Sequence, residues 1–156
     1  MAITCKTPMS EIQKYINNAI EKTDKVVIRN LQRLGEEAVI YARNRTGEES
    51  WYDQTGNLRS SIGYVIAKDG NIVRRGGFSQ ILEGTEGPNE GKQFAKEMAE
   101  AYPGSYVLIV VAGMNYASYV EDMENKDVLA SSSLFVEREL PKMIKRIDEQ
   151  IGKIKK

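Results

Sequence analysis

Tyr52-Asp53-Gln54-Thr55-Gly56-Asn57-Leu58-Arg59-Ser60-Ser61-Ile62 decides the fold, because a helical pattern runs into it and an alternating, strand-like one leaves it. Thr55 suits the N-cap of a helical turn: its hydroxyl can accept from a backbone N–H two or three residues on, while Gly56 and Asn57 fit the tight turn before it. Leu58 and Ile62 are four apart, so they share one side of such a turn and point into a core. Arg59, Ser60 and Ser61 are left towards solvent or a partner. Just ahead, Trp51 and Tyr52 are expected to plug the core beside this corner.

Upstream, Ile12, Ile16, Ala19, Val27, Leu31, Leu34 and Ala38 recur at near-helical spacing. The spacing predicts one helix over residues 10–44, capped by Ser10, which would bend near Thr23 or divide into two shorter helices. Undivided, it is roughly 50 Å long at 1.5 Å per residue, so part of it projects or meets a neighbour. Gly47 is its expected terminator. Downstream, Lys68-Asp69-Gly70-Asn71 lies between two apolar runs, a strong hairpin signal. Residues 78–91 are turn-rich and read as a surface excursion, followed by a helix over 90–102 that ends at Pro103-Gly104.

Ser105-Tyr106-Val107-Leu108-Ile109-Val110-Val111-Ala112-Gly113 is the most apolar run and reads as the strand in the middle of the sheet, both faces covered. Asn115 is placed to cap a short helix carrying Tyr116, Tyr119, Val120 and Met123. Ser131-Ser132-Ser133 supplies another N-cap, with Glu137 as capping partner. In the final helix Val136, Leu140, Ile144, Ile147, Ile151 and Ile154 form a narrow seam, whose natural partner is the first helix, antiparallel. Pro141 kinks that helix or stands in its first regular turn. The expected fold is α+β: one domain over residues 1–156, with a lead segment at 1–9 and a small, mainly antiparallel sheet on which a long N-terminal and a C-terminal helix pack.

The 156 residues include 22 basic and 22 acidic side chains and no histidine. Zero net charge gives no general pull towards nucleic acid. Without histidine there is no Ser-His or Cys-His pair, no His-containing zinc site and no imidazole acid–base chemistry. The single cysteine, Cys5, cannot form an intramolecular disulfide. No run approaches the roughly 20 apolar residues of a membrane span, and the first residues lack a signal-peptide core, so a cytoplasmic origin is expected. No cofactor site is read.

Two ordered blocks carry a resemblance. Asp53-Gln54-Thr55-Gly56-Asn57-Leu58-Arg59-Ser60-Ser61-Ile62 is similar to the signature of the tail-completion or head–tail joining proteins of long-tailed bacteriophages. Val110-Val111-Ala112-Gly113-Met114-Asn115-Tyr116-Ala117-Ser118-Tyr119-Val120-Glu121 matches a second block at about the expected distance downstream. The resemblance implies a non-enzymatic virion protein that meets tail-tube and head-connector proteins, has a homo-oligomeric ring as its working form, and is found in the infected bacterium and then the virion. It also makes the hairpin tip and residues 78–91 natural contacts. The chain departs from the pattern in a longer 79–102 segment and in the turn after Val120-Glu121.

The partner-facing candidates are Arg59, Lys68, Asp69, Asn71, Arg74, Arg75, Tyr116 and Tyr119, beside a structural corner of Trp51, Tyr52, Thr55, Gly56, Asn57, Leu58 and Ile62. Arg59 could bind a carboxylate in two-pronged fashion, or pair within its own chain with Glu121 or Asp122; Tyr116 and Tyr119 form an interface pair or pack in the core. The alternative function is nucleic-acid binding through Arg74, Arg75 and the terminal Lys142, Lys145, Arg146, Lys153, Lys155 and Lys156. The interleaved Glu137, Glu139, Asp148 and Glu149 make a solvated face the better reading of those lysines. Glu97, Glu100, Glu121, Asp122 and Glu124 have no calcium-loop spacing.

Overall fold

The computed structural model describes residues 7–45, 51–123 and 126–154; Cys5, Gly47, Glu124, Lys155 and Lys156 lie outside them. Helix α1 (Met9–Arg43) is one unbroken helix of 35 residues. Its first residue follows extended Pro8, so Ser10 sits inside the first turn and is not the cap. All of its buried residues, Asn30 to Ala42, belong to the C-terminal half. Tyr15, Ile16 and Ile20 in the other half are exposed, so the stretch ahead of Asp24 projects.

The corner is a single turn, α2 (Asn57–Ser61), leading directly into β1 (Ile62–Lys68). Gly56 is the cap residue at φ +78°, a conformation costly for a side-chain-bearing residue. Asp69 and Gly70, both at positive φ, turn β1 back into β2 (Asn71–Gly77), the left-handed pair that matches strand twist in a two-residue hairpin. Helix α3 (Gly87–Ala101) begins three residues earlier than its apolar spacing suggests, with Pro88 in its first turn. Strand β3 (Val107–Ala112), the short α4 (Ala117–Glu121) and α5 (Ala130–Ile154) complete the order.

The three strands lie in the order β2-β1-β3, and both pairings are antiparallel. This corrects the placing of the most apolar run: β3 is an edge strand, and the middle one is β1, buried from Ile62 to Ala67. The α1 layer covers Ile62, Tyr64 and Ile66. The α3 layer covers Val65 and Ala67 with Phe78, Ala95, Ala99 and Val111. Each fully buried isoleucine contributes about 1.5–3 kcal/mol.

Helix α5 packs along α1 in the expected antiparallel sense, since Ser132 Oγ donates to the Ala38 carbonyl (3.0 Å) and Asn30 Nδ2 donates to Gln150 Oε1 (3.2 Å). It continues through Pro141. Its start is not capped by Ser131–Ser133, which lie inside the helix. The Glu121 carboxylate accepts from the N–H groups of Val128, Leu129 and Ala130 (2.9 Å each), and Asp127 accepts from Ser131 (3.0 Å). Carboxylates satisfy orphan N–H groups more strongly than hydroxyls do and also complement the helix dipole.

Tyr64 lies beneath α1 at 1% exposure. Its hydroxyl donates to Glu36 Oε1 (3.3 Å), and burial, aided by that carboxylate, pushes the phenol up to about 12. The helix can approach because residue 35 is glycine: a Cβ there would stand 2.6 Å from the Tyr64 ring. Gly35→Ala should therefore lower stability by about 1–3 kcal/mol through overpacking, even though alanine favours helix by about 1 kcal/mol. Urea unfolding measures this, and an unchanged or raised midpoint would refute the account.

Candidate partner-binding surface

The corner is built by hydrogen bonds that sequence reading assigned to the wrong side chains. Asp53, not Thr55, holds the turn: its carboxylate accepts from the N–H groups of Gly56 (3.0 Å) and Arg59 (2.8 Å). The Thr55 hydroxyl does accept from the N–H two residues on, that of Asn57 at 3.3 Å, but the cap position belongs to Gly56. Leu58 and Ile62 do point inward, at 1% and 0% exposure, but Ser60 and Ser61 are fully buried as well. Ser60 Oγ accepts from Ile81 N–H (2.7 Å), while Ser61 Oγ donates to Leu58 O (2.7 Å) and accepts from Gly113 N–H (3.1 Å). Asn57 Oδ1 receives the N–H groups of Glu86 and Gly87 as α3 begins. Arg43, from the end of α1, donates to the Ile62 carbonyl and to Ser79 Oγ, both at 2.7 Å.

Trp51 is in the core at 6% exposure, whereas Tyr52 is 87% exposed and plugs nothing. The Arg59 guanidinium lies over the indole at 5.2 Å and donates to the Arg45 carbonyl (3.2 Å). In front of them a groove of about 460 Å³ is lined by Trp51, Tyr52, Leu58, Tyr116, Val120 and Met123, with Asp53, Gln54, Thr55 and Lys126 around it. The buried Trp51 Nε1–H has no hydrogen-bond acceptor among the described residues. Tyr116 precedes α4 and occupies its cap position, so Asn115 does not cap it. Tyr116, Tyr119 and Met123 are all exposed, which removes the core-packing option for the tyrosine pair. Partial covering of its ring, then the charges of Asp53 and Glu86, raises the Tyr116 phenol above its ordinary value. Met123 was not among the sequence candidates; its spacing of four from Tyr119 was the available signal.

The other candidates lie elsewhere. Lys68, Asp69 and Asn71 are at the far end of β1, roughly 20 Å from the corner at strand rise, and Lys68 Nζ is bound to Asp24 of α1 at 2.5 Å. Tyr106 O–H also donates to Asp24. Arg74 and Arg75 are exposed on β2 opposite Ile66 and Val65, which face different layers, so they do not form one basic surface. On α5, Lys142 pairs with Glu139 (2.8 Å). Among the described residues no group of three or more acidic or cysteine side chains could hold a metal, and no helix is long and apolar enough to cross a membrane.

The hydrogen bond from Lys68, then that from Tyr106, holds the Asp24 carboxyl below its ordinary value of 3.8. A depressed carboxyl stabilises the fold above its unfolded pKa, and that contribution disappears as pH falls through the folded one. The contact between α1 and the hairpin should therefore loosen below about pH 4. In Asp24→Asn this acid-dependent step should vanish, as followed by amide exchange of β1 and β2. An identical acid limb in the variant would refute the assignment.

Residues 10–122 match the model of a family described as "Bacteriophage HK97-gp10, putative tail-component". The match runs from the start of α1 to the end of α4 and includes the corner and the whole sheet. Nothing matches among curated proteins, and no solved structure matches.

Proposed function

The chain belongs to the HK97-gp10-like family of bacteriophage tail components, and from that membership and the aromatic surface beside the corner we infer a non-enzymatic protein that completes the tail end and joins tail to head. The observation that carries this reading is the coincidence of the family match with an exposed patch of Tyr52, Tyr116 and Met123 around a groove, beside Tyr119 in an adjoining hollow that shares Met123. Aromatic and methionine side chains are enriched where proteins meet, and a few such anchors carry most of the binding energy. The patch is carried on the corner, so partner contact and folding share one scaffold. Its partners are the tail-tube and head-connector proteins, and the working form is a ring of copies at the tail end.

Electron microscopy of particles made when this gene carries an early stop codon tests the role. Filled heads beside unattached or overlong tails are expected; normal infectious particles would sink the reading. The patch is tested separately by Tyr52→Ala with Tyr119→Ala. Both side chains are largely exposed, so stability should change by no more than about 0.5 kcal/mol per site. Joined particles should fall sharply, and full joining by the double variant would move the contact elsewhere.

A further inference from the structure

Among the described residues no strand pairs with the outer edge of β3, and the strand itself carries none of the usual protection against further pairing. Its six residues are all apolar, with no proline, charge or bulge; edge strands are ordinarily blunted by such features. The ladder fixes which backbone groups are free. Gly113 N–H donates to the Ser61 carbonyl (3.4 Å) in the register of the β1–β3 pairs, and bonded pairs alternate in an antiparallel ladder. Val107, Ile109 and Val111 thus bond to β1, and the N–H and C=O groups of Leu108, Val110 and Ala112 point outward. On the opposite edge Phe78 N–H donates to the Ile62 carbonyl (3.1 Å), so Arg74 and Gly76 bond to β1 and the backbone of Arg75 and Gly77 faces outward.

The β3 edge opens into a groove of about 260 Å³ whose walls come from both sides of the sheet, Phe94 and Met98 of α3 on one and Val128 and Leu129 on the other. At its Ala112 end Glu90 and Glu97 of α3 line an adjoining hollow.

We propose that β3 of one copy pairs, in parallel, with β2 of the next, so that the sheet continues from chain to chain. β2 and β3 both run antiparallel to β1 and hence parallel to each other. A copy turned about an axis along the strands therefore presents its β2 to a neighbour's β3. Repeating that operation gives a head-to-tail ring, whereas β3 paired with itself would stop at two copies.

The faces agree. Ala112 and Gly76 stand opposite Ile62 and Tyr64 on the α1 side, and Val111 and Arg75 both face the α3 side. In the register that sets Arg75 beside a neighbour's Val111, its guanidinium reaches the hollow of Glu90 and Glu97. Arg75 makes no hydrogen bond or ion pair among the described residues of its own chain. The charges that blunt β2 against indiscriminate pairing thus select the acidic end of β3.

This contact rests on the ring of copies proposed above and names its surface. Sedimentation velocity of the full chain, taken to its solubility limit, should show concentration-dependent self-association. Arg75→Glu, and separately Glu90→Lys with Glu97→Lys, should each weaken it roughly tenfold, with circular dichroism unchanged because all three positions are exposed. An equal mixture of the two variants should restore association, since each supplies the edge that the other requires. A wild type that stays monomeric, assembly indifferent to either reversal, or a mixture that fails to recover would each overturn the contact. The stop-codon microscopy is independent: lost joining with a monomeric wild type sinks the edge pairing and keeps the junction role.

Discussion

Two buried hydroxyls hold the molecule together. Ser60 and Ser61 have no access to water, so each must find partners within the protein or incur a penalty of about 1–3 kcal/mol. Their partners come from distant parts of the chain: Ile81, ahead of α3, and Gly113, at the end of β3. With Asn57 receiving the first N–H groups of α3, one helical turn ties the central strand, the following helix and the edge strand to a common point. Fully satisfied buried polar groups specify one arrangement among many of similar apolar burial. The two core layers on either side of β1 then fill in around that point.

Much of the architecture was legible because its signals are local. Helical spacing, the Asp-Gly turn and the Tyr102-Pro103-Gly104 stop each depend on neighbours within a few residues. The strand order was not legible, for a physical reason. An apolar run reports that both faces of a strand are covered, and Val107 to Ala112 is covered by helices on both. It says nothing about whether another strand lies beside it. The middle strand, with Gly63, Tyr64 and Ala67, is less apolar by composition yet more deeply buried, since depth comes from flanking strands as well as layers.

The caps were misassigned for a related reason. Thr55 and the serines of α5 are good capping types in sequence, but carboxylates of Asp53, Glu121 and Asp127 reach the free N–H groups in three dimensions, while α1 and α4, where Ser10 and Asn115 were expected, begin without a side-chain cap. Glu121 lies seven to nine residues from the groups it serves, beyond any spacing rule. The candidate surface was half legible: Tyr116 and Tyr119 are exposed by the corner as a pair should be, while Lys68 is turned inward to Asp24. Types and spacing locate groups along an element, but only packing decides which end of the sheet each one serves.

The pairing of α1 with α5 sets an order of events during synthesis. Asn30 meets Gln150 across 120 residues and Ala38 meets Ser132 across 94, so this stretch of the first helix waits for nearly the whole chain before its partner exists. The hairpin of β1 and β2 can close at once, and β3 joins about thirty residues later; the α1–α5 seam comes last. Until then the α5-facing side of the first helix is displayed on the nascent chain, and a ribosome that stalls after β3 leaves that side open to chaperones or to another chain.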